Sequence, residues 1–268
     1  MSNREVRVFK VKKSTSNFGE LNKFLNTAKV YEQDFVERLF PRSIVKGNVH
    51  SEIVVKGGRV EVDLDLLGPE GGEALLAFDK PYVHVGCIAV ALMPHGKNLP
   101  GSAHLVLRDG RMLSGKDVIC RFQCRLDQRL SAFAEFPNYF VSTEDVVGGF
   151  SFHLSIMADG LGFRDGTHPF SVQLTSILRG CDESMDMRYA LSNLGSGLYQ
   201  PLLNSTPETE KPGLIKYQTN EVTSVMAEVY ETIKKLNLDH YGNLHKERSD
   251  EGDNQDVALS WSEPGGRT

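Results

Sequence analysis

The chain has 268 residues, 40% of them hydrophobic and 9% aromatic, so it can bury a large core and is not disordered as a whole. Its 30 lysines and arginines face 35 acidic residues, and the net charge of −5 argues against a protein held to nucleic acid by bulk positive charge. The four cysteines exclude a small disulfide-built scaffold and fit a reducing compartment.

The charge is unevenly distributed along the chain. Residues 1–48 carry ten basic and five acidic groups, and residues 101–130 carry six basic and three acidic groups. Residues 182–268 carry eight basic and fifteen acidic groups. This split suggests an anionic partner for the body of the chain and a solvated acidic tail, although both could be solubilising surfaces.

Neither a secretory signal nor a membrane-spanning segment is expected. Residues 1–13 are polar and basic, with no apolar run behind them. The longest apolar run, residues 82–93, is shorter than the about 20 residues that a spanning helix needs, and its valines and isoleucine indicate a buried strand. Any membrane contact would therefore be made at the surface or through a partner.

The predicted elements begin with helices and continue with strands. Apolar residues recur at three- and four-residue spacing over residues 18–40, which predicts one or two short amphipathic helices that end before Pro41. From residue 51 the period changes to two. Residues 59–66 alternate cleanly, with Arg59, Glu61, Asp63 and Asp65 facing outward. Further strands are predicted at residues 51–56, 73–78, 82–92, 103–108, 117–126, 130–136, 150–157 and 170–179.

Eight or nine short strands separated by glycine- and proline-containing turns predict a mainly β fold, an antiparallel sandwich or barrel. A short helix is expected at residues 142–147, with Ser142 or Thr143 as its N-cap.

The strands are expected to stop after residue 181. Residues 190–215 are rich in small and polar residues, as in a linker, and residues 220–237 form an amphipathic pattern. The predicted divisions are a basic helical segment at 1–49, a β-sandwich at 50–181, a linker and helix at 182–240, and an acidic disordered tail at 241–268.

The sequence contains neither the phosphate-binding nor the catalytic motifs of common enzymes, so we expect no enzyme activity, catalytic residue or cofactor. Cys120 and Cys124 have a loose zinc-like spacing. On a strand they would lie roughly 13 Å apart, too far to share one zinc ion, so they are interpreted as core residues and no metal site is predicted. His84 and His153 fall within predicted strands and are interpreted as structural.

Residues 118–126 give the most informative pattern. If Cys120, Phe122 and Cys124 face inward, Arg121 and Arg125 face outward. Such a basic strip suits a phosphate backbone, although a solvated strand face would show the same pattern. The candidate nucleic-acid-binding residues are Arg108, Arg111, Lys116, Arg121, Arg125 and Arg129.

Residues 80–181 also carry a set of motifs in a particular order. Leu107-Arg108-Asp109 is followed 57 positions later by Gly166. Between and around them lie the segments 105–112, 121–124, 136–145 and 165–172, of which the third contains Pro-Asn-Tyr. In order and spacing this region resembles the thirty-kilodalton superfamily of plant-virus cell-to-cell movement proteins, especially tobamovirus- and tobravirus-like members.

The resemblance implies properties that composition does not show. Members of this family bind single-stranded nucleic acid cooperatively and without sequence preference, and carry the viral genome through plasmodesmata in association with host endoplasmic-reticulum membranes. For this chain the resemblance implies single-stranded viral RNA, host plasmodesmal and membrane components, and further copies of the chain as partners. They are not enzymes, and their core is a jelly-roll-like β-sandwich, here with N-terminal and C-terminal helices.

The family motif residues are Leu107, Asp109 and Gly166. Asp109 precedes a glycine, as in a tight turn, and Gly166 suits a backbone position with positive φ, so both are interpreted as structural. Several members carry basic RNA-binding segments near the C-terminus, whereas this C-terminal region is acidic, so RNA binding is expected in the body. The alternative is a capsid-like structural assembly protein built on the same jelly roll.

Overall fold

A computed structural model describes residues 4–33, 35, 37, 43–67, 79–113, 116–148, 152–182 and 188–208. They belong to the first of two compact units, Met1–Thr209, whereas the second unit, Glu210–Thr268, lies outside the described residues. The predicted strand at 73–78, the predicted helix at 220–237 and the acidic tail also lie outside them, and they stay predictions.

The described residues include twelve strands and two short α-helices that are described over their whole length, and residues 35 and 37 are also helical. The helices are α1 (Phe18–Phe24) and α2 (Thr143–Val147). Two 3-10 turns occupy Thr27–Lys29 and Ser192–Leu194. The strands are β1 (Arg4–Glu5), β2 (Ile44–Ile53), β3 (Val60–Asp65), β4 (Tyr82–Pro94), β5 (Ser102–Asp109), β6 (Val118–Arg125), β7 (Ser131–Phe136), β8 (Tyr139–Ser142), β9 (Phe152–Ala158), β10 (Phe170–Cys181), β11 (Leu198–Leu203) and β12 (Ser205–Pro207).

The strands form two sheets that are packed face to face. The first sheet has the order β1-β11-β7-β4-β10-β2, with β8 also paired to β4, and the second has the order β12-β6-β5-β9-β3. All pairs are antiparallel except β1 with β11. Strands β2 to β7, β9 and β10 thus divide into the two four-stranded sheets of a jelly roll. The predicted fold class is confirmed.

The core between the sheets follows from period-two alternation. Cys120, Phe122 and Cys124 are buried on β6, as predicted, and Phe122 stacks on Phe133 of β7 with ring centroids 3.7 Å apart. All four cysteines are buried thiols. Among the described residues, histidines, cysteines and carboxylates form no cluster that could hold a metal ion.

The central strands β4, β7 and β10 of the first sheet are buried on both faces. A second hydrophobic cluster lies outside this sheet, where Phe9, Leu21, Leu25 and Tyr31 of the N-terminal region pack on alanines and Cys87 of the sheet. We call residues 6–31 together with 188–191 the outer layer. This second burial explains why β4 is an almost continuous apolar run.

The structure corrects two expectations about the ends of the fold. Strands continue past residue 181, because β11 joins the first sheet and β12 the second, within the segment expected to be a linker. In the N-terminal region α1 has seven residues and residues 35 and 37 are also helical, but Phe35, which the sequence pattern places on the apolar face, is 76% exposed. Pro41 lies outside the described residues. The short helix α2 is confirmed, with the Ser142 hydroxyl accepting from the Glu144 amide.

Candidate nucleic-acid interface

The outer face of the second sheet is open at most of its outward side chains, although Val106 of β5 is buried there. Both hydrophobic clusters of the described residues lie elsewhere, one between the sheets and one outside the first sheet. The outward side chains of β3, β6 and β9 are exposed or half-buried. Arg121, Gln123 and Arg125 of β6 belong to this face, where they pair in register with Val106, His104 and Ser102 of β5.

Four of the six predicted cations keep solvent-accessible positions along β6. Arg121 is half-buried and Arg125 is exposed at the end of the strand, where it forms an ion pair with Asp127. That pair is exposed, so it holds the guanidinium only weakly. Lys116 and Arg129 are exposed in the turns before and after β6.

Arg108 lies on the same face but is held by neighbouring side chains. Its Nη1 donates to Asp117 Oδ2 at 2.6 Å, and its Nε donates to Ser155 Oγ at 3.1 Å. Its side chain is 30% exposed. Arg108 therefore contributes less free positive charge to the surface than the sequence suggested.

Arg111 is a correction to the predicted strip. Its Nε and Nη2 donate to the two carboxylate oxygens of Asp109 at 3.0 and 2.8 Å, and its Nη1 donates to the Phe140 carbonyl at 3.2 Å. The guanidinium also lies 5.5 Å from the ring centroid of Tyr139. A group with its donors occupied in this way is poorly suited to a phosphate, so we leave Arg111 out of the interface. Sequence spacing could not reveal the contacts with Phe140 and Tyr139, since they depend on the position of β8.

The contacts of Asp109 favour the structural interpretation. The residue is 7% exposed, and its Oδ1 accepts from the Arg111 amide at 3.0 Å, closing the turn after β5. Burial raises the pKa of Asp109, but the hydrogen bonds and charge of Arg111 outweigh it, so the pKa is lowered overall. Asp109 therefore stays ionised and fixes the turn. Leu107 is fully buried between the sheets.

Gly166 has φ of +82°, as predicted, and its amide donates to the Val55 carbonyl at 2.9 Å. The neighbouring Asp165 accepts from the Gly57 and Gly58 amides, so this loop fastens the turn between β2 and β3. Asp109 pairs with the first residue of β9, whereas Gly166 lies beyond its last residue. The two motif residues are thus about 20 Å apart along β9 and do not form one site.

A buried polar cluster anchors the outer layer to the first sheet. The Tyr31 hydroxyl lies 2.9 Å from both His84 Nδ1 and the His84 carbonyl, and the Tyr189 hydroxyl donates to the Gly86 carbonyl at 2.9 Å. Burial lowers the pKa of His84 to about 4, with a hydrogen bond to Asn138 opposing it. His84 is therefore a neutral structural residue, as predicted.

Sequence reasoning missed the partner of His104. Its Nδ1 lies 2.5 Å from Glu208 Oε1, and the Glu208 amide donates to the Arg121 carbonyl at 3.0 Å. These contacts fix β12 against β6 and place a carboxylate beside the basic strand. A separation of 104 residues left no local signal for this pair.

Comparison with known proteins gives consistent results. The family model described as "Viral movement protein (MP)" matches residues 9–192. The "Movement protein" of Grapevine virus A (isolate Is 151) is 44% identical over 260 residues, which cover 97% of this chain and 93% of that protein. The "Movement protein" of Sunn-hemp mosaic virus is 27% identical over 120 residues, covering 40% of this chain and 42% of that protein.

Similarity to solved structures is weak. A structure named for desmodium yellow mottle tymovirus has a TM-score of 0.33 with 6% identity, covering 63% of this chain and 91% of that one. A nora virus structure has a TM-score of 0.31 with 13% identity, covering 53% and 59% of the two chains. Among the described residues, no helix is both long and apolar enough to cross a bilayer.

Proposed function

The chain belongs to the viral movement protein family, and from this premise we propose that it binds single-stranded RNA along strand β6 and carries a viral genome between plant cells. The observation that supports the RNA surface is the outward row of Arg121, Gln123 and Arg125 on a sheet face that the described residues leave open. Lys116 and Arg129 extend the row at either end.

The chemistry of this face favours recognition of the RNA backbone over recognition of bases. Guanidinium and ammonium groups contact phosphates whatever the sequence, and each neutralised phosphate releases a counterion. The rings on the outer face of β5 and β9 are those of His104 and His153, so the phosphate contacts carry most of the affinity. We therefore expect sequence-independent binding that weakens steeply with salt.

The role is stoichiometric: the protein coats the genome, docks at plasmodesmata in association with the endoplasmic reticulum, and catalyses no reaction. The partners are viral single-stranded RNA, host plasmodesmal and membrane components, and further copies of this chain. A fluorescent fusion expressed in leaf cells tests the transport role, with punctate wall labelling and spread into neighbouring cells as the expected result. Diffuse cytoplasmic fluorescence without spread would contradict it.

A titration of RNA binding at several salt concentrations tests the surface. We expect the double variant Arg121→Gln/Arg125→Gln to weaken binding and to flatten the plot of log affinity against log salt by about 1.4, because each phosphate contact contributes about 0.7 to the slope for single strands. The matched control is Arg4→Gln/Arg7→Gln, which removes two exposed cations from the N-terminal region. Equal losses in both variants, or no loss in the first, would remove β6 from the proposal.

The second candidate is a capsid-like assembly protein, which the jelly-roll strand order favours. Fold alone does not decide function, because the same scaffold carries unrelated activities. Light scattering and electron microscopy separate the two: a shell protein forms closed particles, whereas an RNA-coating protein forms open assemblies whose length follows that of the RNA.

A further inference from the structure

The outer face of the second sheet carries two rows of opposite charge. Glu61 and Asp63 point outward from the edge strand β3, and Arg121 and Arg125 point outward from β6. Glu61 pairs with the exposed Arg59, a contact of little strength at the surface. The rows are separated by β9 and β5, so they lie about 14 Å apart.

That separation keeps the two rows from neutralising each other within one molecule. It exceeds the Debye length of about 8 Å at physiological ionic strength, so their mutual attraction is largely screened. Each row is therefore available to a partner that brings opposite charge into direct contact.

The strand register makes this face complementary to itself. Asp63 pairs with Ser155, Ser155 with Val106, and Val106 with Arg121, so Asp63 and Arg121 lie in one row across the sheet. A two-fold axis parallel to the strands, placed between two stacked faces, lays β6 of each copy over β3 of the other. Since that rotation preserves position along the strands, Arg121 then meets Asp63 of the second copy without a shift of register.

We propose that two copies of this chain dock through the outer faces of their second sheets, with the β6 arginines of each copy against the β3 carboxylates of the other. Such a contact is isologous and closes on itself as a dimer. The face consists of five strands about 4.8 Å apart and about six residues long, so each copy presents roughly 500 Å² of surface. Two copies together would bury roughly 1,000 Å², which is near the lower bound for a specific protein–protein interface. The dimer is therefore weak and salt-sensitive.

The dimer would be the RNA-free form of the protein. Arg121 and Arg125 cannot contact phosphates while they face the carboxylates of a second copy, so RNA and dimerisation compete. This consequence rests on the proposed function, whereas the dimer itself does not. A polyanion such as RNA would dissociate the dimer, and the β6 arginines of both copies would then be free to bind RNA.

Sedimentation velocity of the full chain without RNA tests the dimer. We expect a concentration-dependent dimer at low salt that dissociates as salt rises. Glu61→Lys/Asp63→Lys should raise the dissociation constant about tenfold or more, because it places like charges opposite each other. Glu5→Lys/Glu32→Lys, with the same charge change on exposed residues outside this face, is the control and should leave the dimer intact.

A charge-swap experiment makes the test specific. Arg121→Glu/Arg125→Glu should also give a monomer, because both rows then carry carboxylates. An equimolar mixture of this variant with Glu61→Lys/Asp63→Lys should restore a dimer, since one face is then fully basic and the other fully acidic. Circular dichroism of each variant verifies that it is folded.

The outcomes separate this inference from the RNA proposal. Glu61→Lys/Asp63→Lys should lose the dimer yet bind RNA at least as tightly as the unmodified chain. The inference would be overturned by a protein that stays monomeric at every concentration. It would also be overturned if both charge-reversal variants, Glu61→Lys/Asp63→Lys and Arg121→Glu/Arg125→Glu, still formed the dimer. Failure to bind RNA by a protein that still dimerises would overturn the proposed function alone.

Discussion

The two sheets share one core but differ on their outer faces. The first sheet is covered by the outer layer, and its strands β4, β7 and β10 are buried on both sides. The second sheet is packed on one side, and β6 and β9 alternate between buried and accessible residues. We therefore expect the first sheet to contribute more to stability and the second to offer the surface for a partner, because a covered face cannot bind a partner and an open face adds little burial.

The largest effect on stability is expected from a substitution in the core that both sheets share. Phe133→Ala deletes a fully buried ring that stacks on Phe122, and such truncations cost about 3–5 kcal/mol of unfolding free energy. Chemical denaturation should show one cooperative transition at lower denaturant. Unfolding of one sheet alone would break the view that they are a single unit.

The second-largest effect on stability is expected from the titration of Glu135. The residue is fully buried, and neither carboxyl oxygen has a hydrogen-bond partner among the described residues. Burial of the carboxyl raises its pKa to about 8. The folded chain thus keeps a proton that the unfolded chain loses above about 4.5, so stability is full below that pH and is lost as pH rises to about 8.

The substitution Glu135→Met removes the titrating carboxyl and replaces it with an apolar side chain of similar shape. We expect the variant to gain a few kcal/mol of unfolding free energy at pH 8 and little at pH 4.5. Denaturant titrations of both proteins across this range give the difference. A difference that does not change with pH would contradict the assignment.

His84 should act with the opposite sign. Burial lowers the pKa of His84 from 6.5 to about 4. As the pH falls, the imidazole is therefore protonated in the unfolded chain before it is protonated in the folded chain. The stability that is present above pH 6.5 is lost as the pH falls to about 4. Between these values the effects of His84 and Glu135 oppose each other. His84→Asn in the Glu135→Met background should therefore abolish the acid sensitivity that Glu135→Met alone reveals, as measured by the same denaturant titrations.

Gly86→Ala tests the covered face of the first sheet. A Cβ at this position would lie 2.5 Å from the Tyr31 hydroxyl and 2.7 Å from Val30 Cγ1, so the outer layer must shift. Overpacking of this kind costs about 1–3 kcal/mol. Gly19→Ala on α1 is the control, since its Cβ would make only an ordinary contact with Asn17 Oδ1 at 3.5 Å and alanine favours a helix. Equal stability of the two variants would show that the outer layer is not tightly packed.

The smallest effect on stability should come from the open face. Arg121→Gln/Arg125→Gln removes two accessible charges, and exposed substitutions usually stay within about 0.5 kcal/mol. Thermal unfolding should be nearly unchanged while RNA binding falls. A large loss of stability would mean that these arginines support the fold. It would contradict the expectation that the open face of the second sheet contributes little to stability.

The sequence alone determined the features that depend on local pattern. Alternation identified the buried row of β6, and Ser142 or Thr143 marked the start of α2. The number of strands and the spacing of turns indicated a sandwich or barrel. The motif around Asp109 pointed to the family that the comparisons show. Period and capping are set by neighbouring residues, so they can be read without the fold.

Tertiary structure alone decided which partner each side chain meets. Nothing near Arg111 in the sequence shows that β8 supplies a carbonyl and an aromatic ring to its guanidinium, and nothing near Val30 shows that it packs against Gly86. The alignment of Asp63 with Arg121 passes through three strand pairings. Such contacts arise from long-range register, which is fixed by the packing of whole sheets and leaves no periodic trace in the sequence.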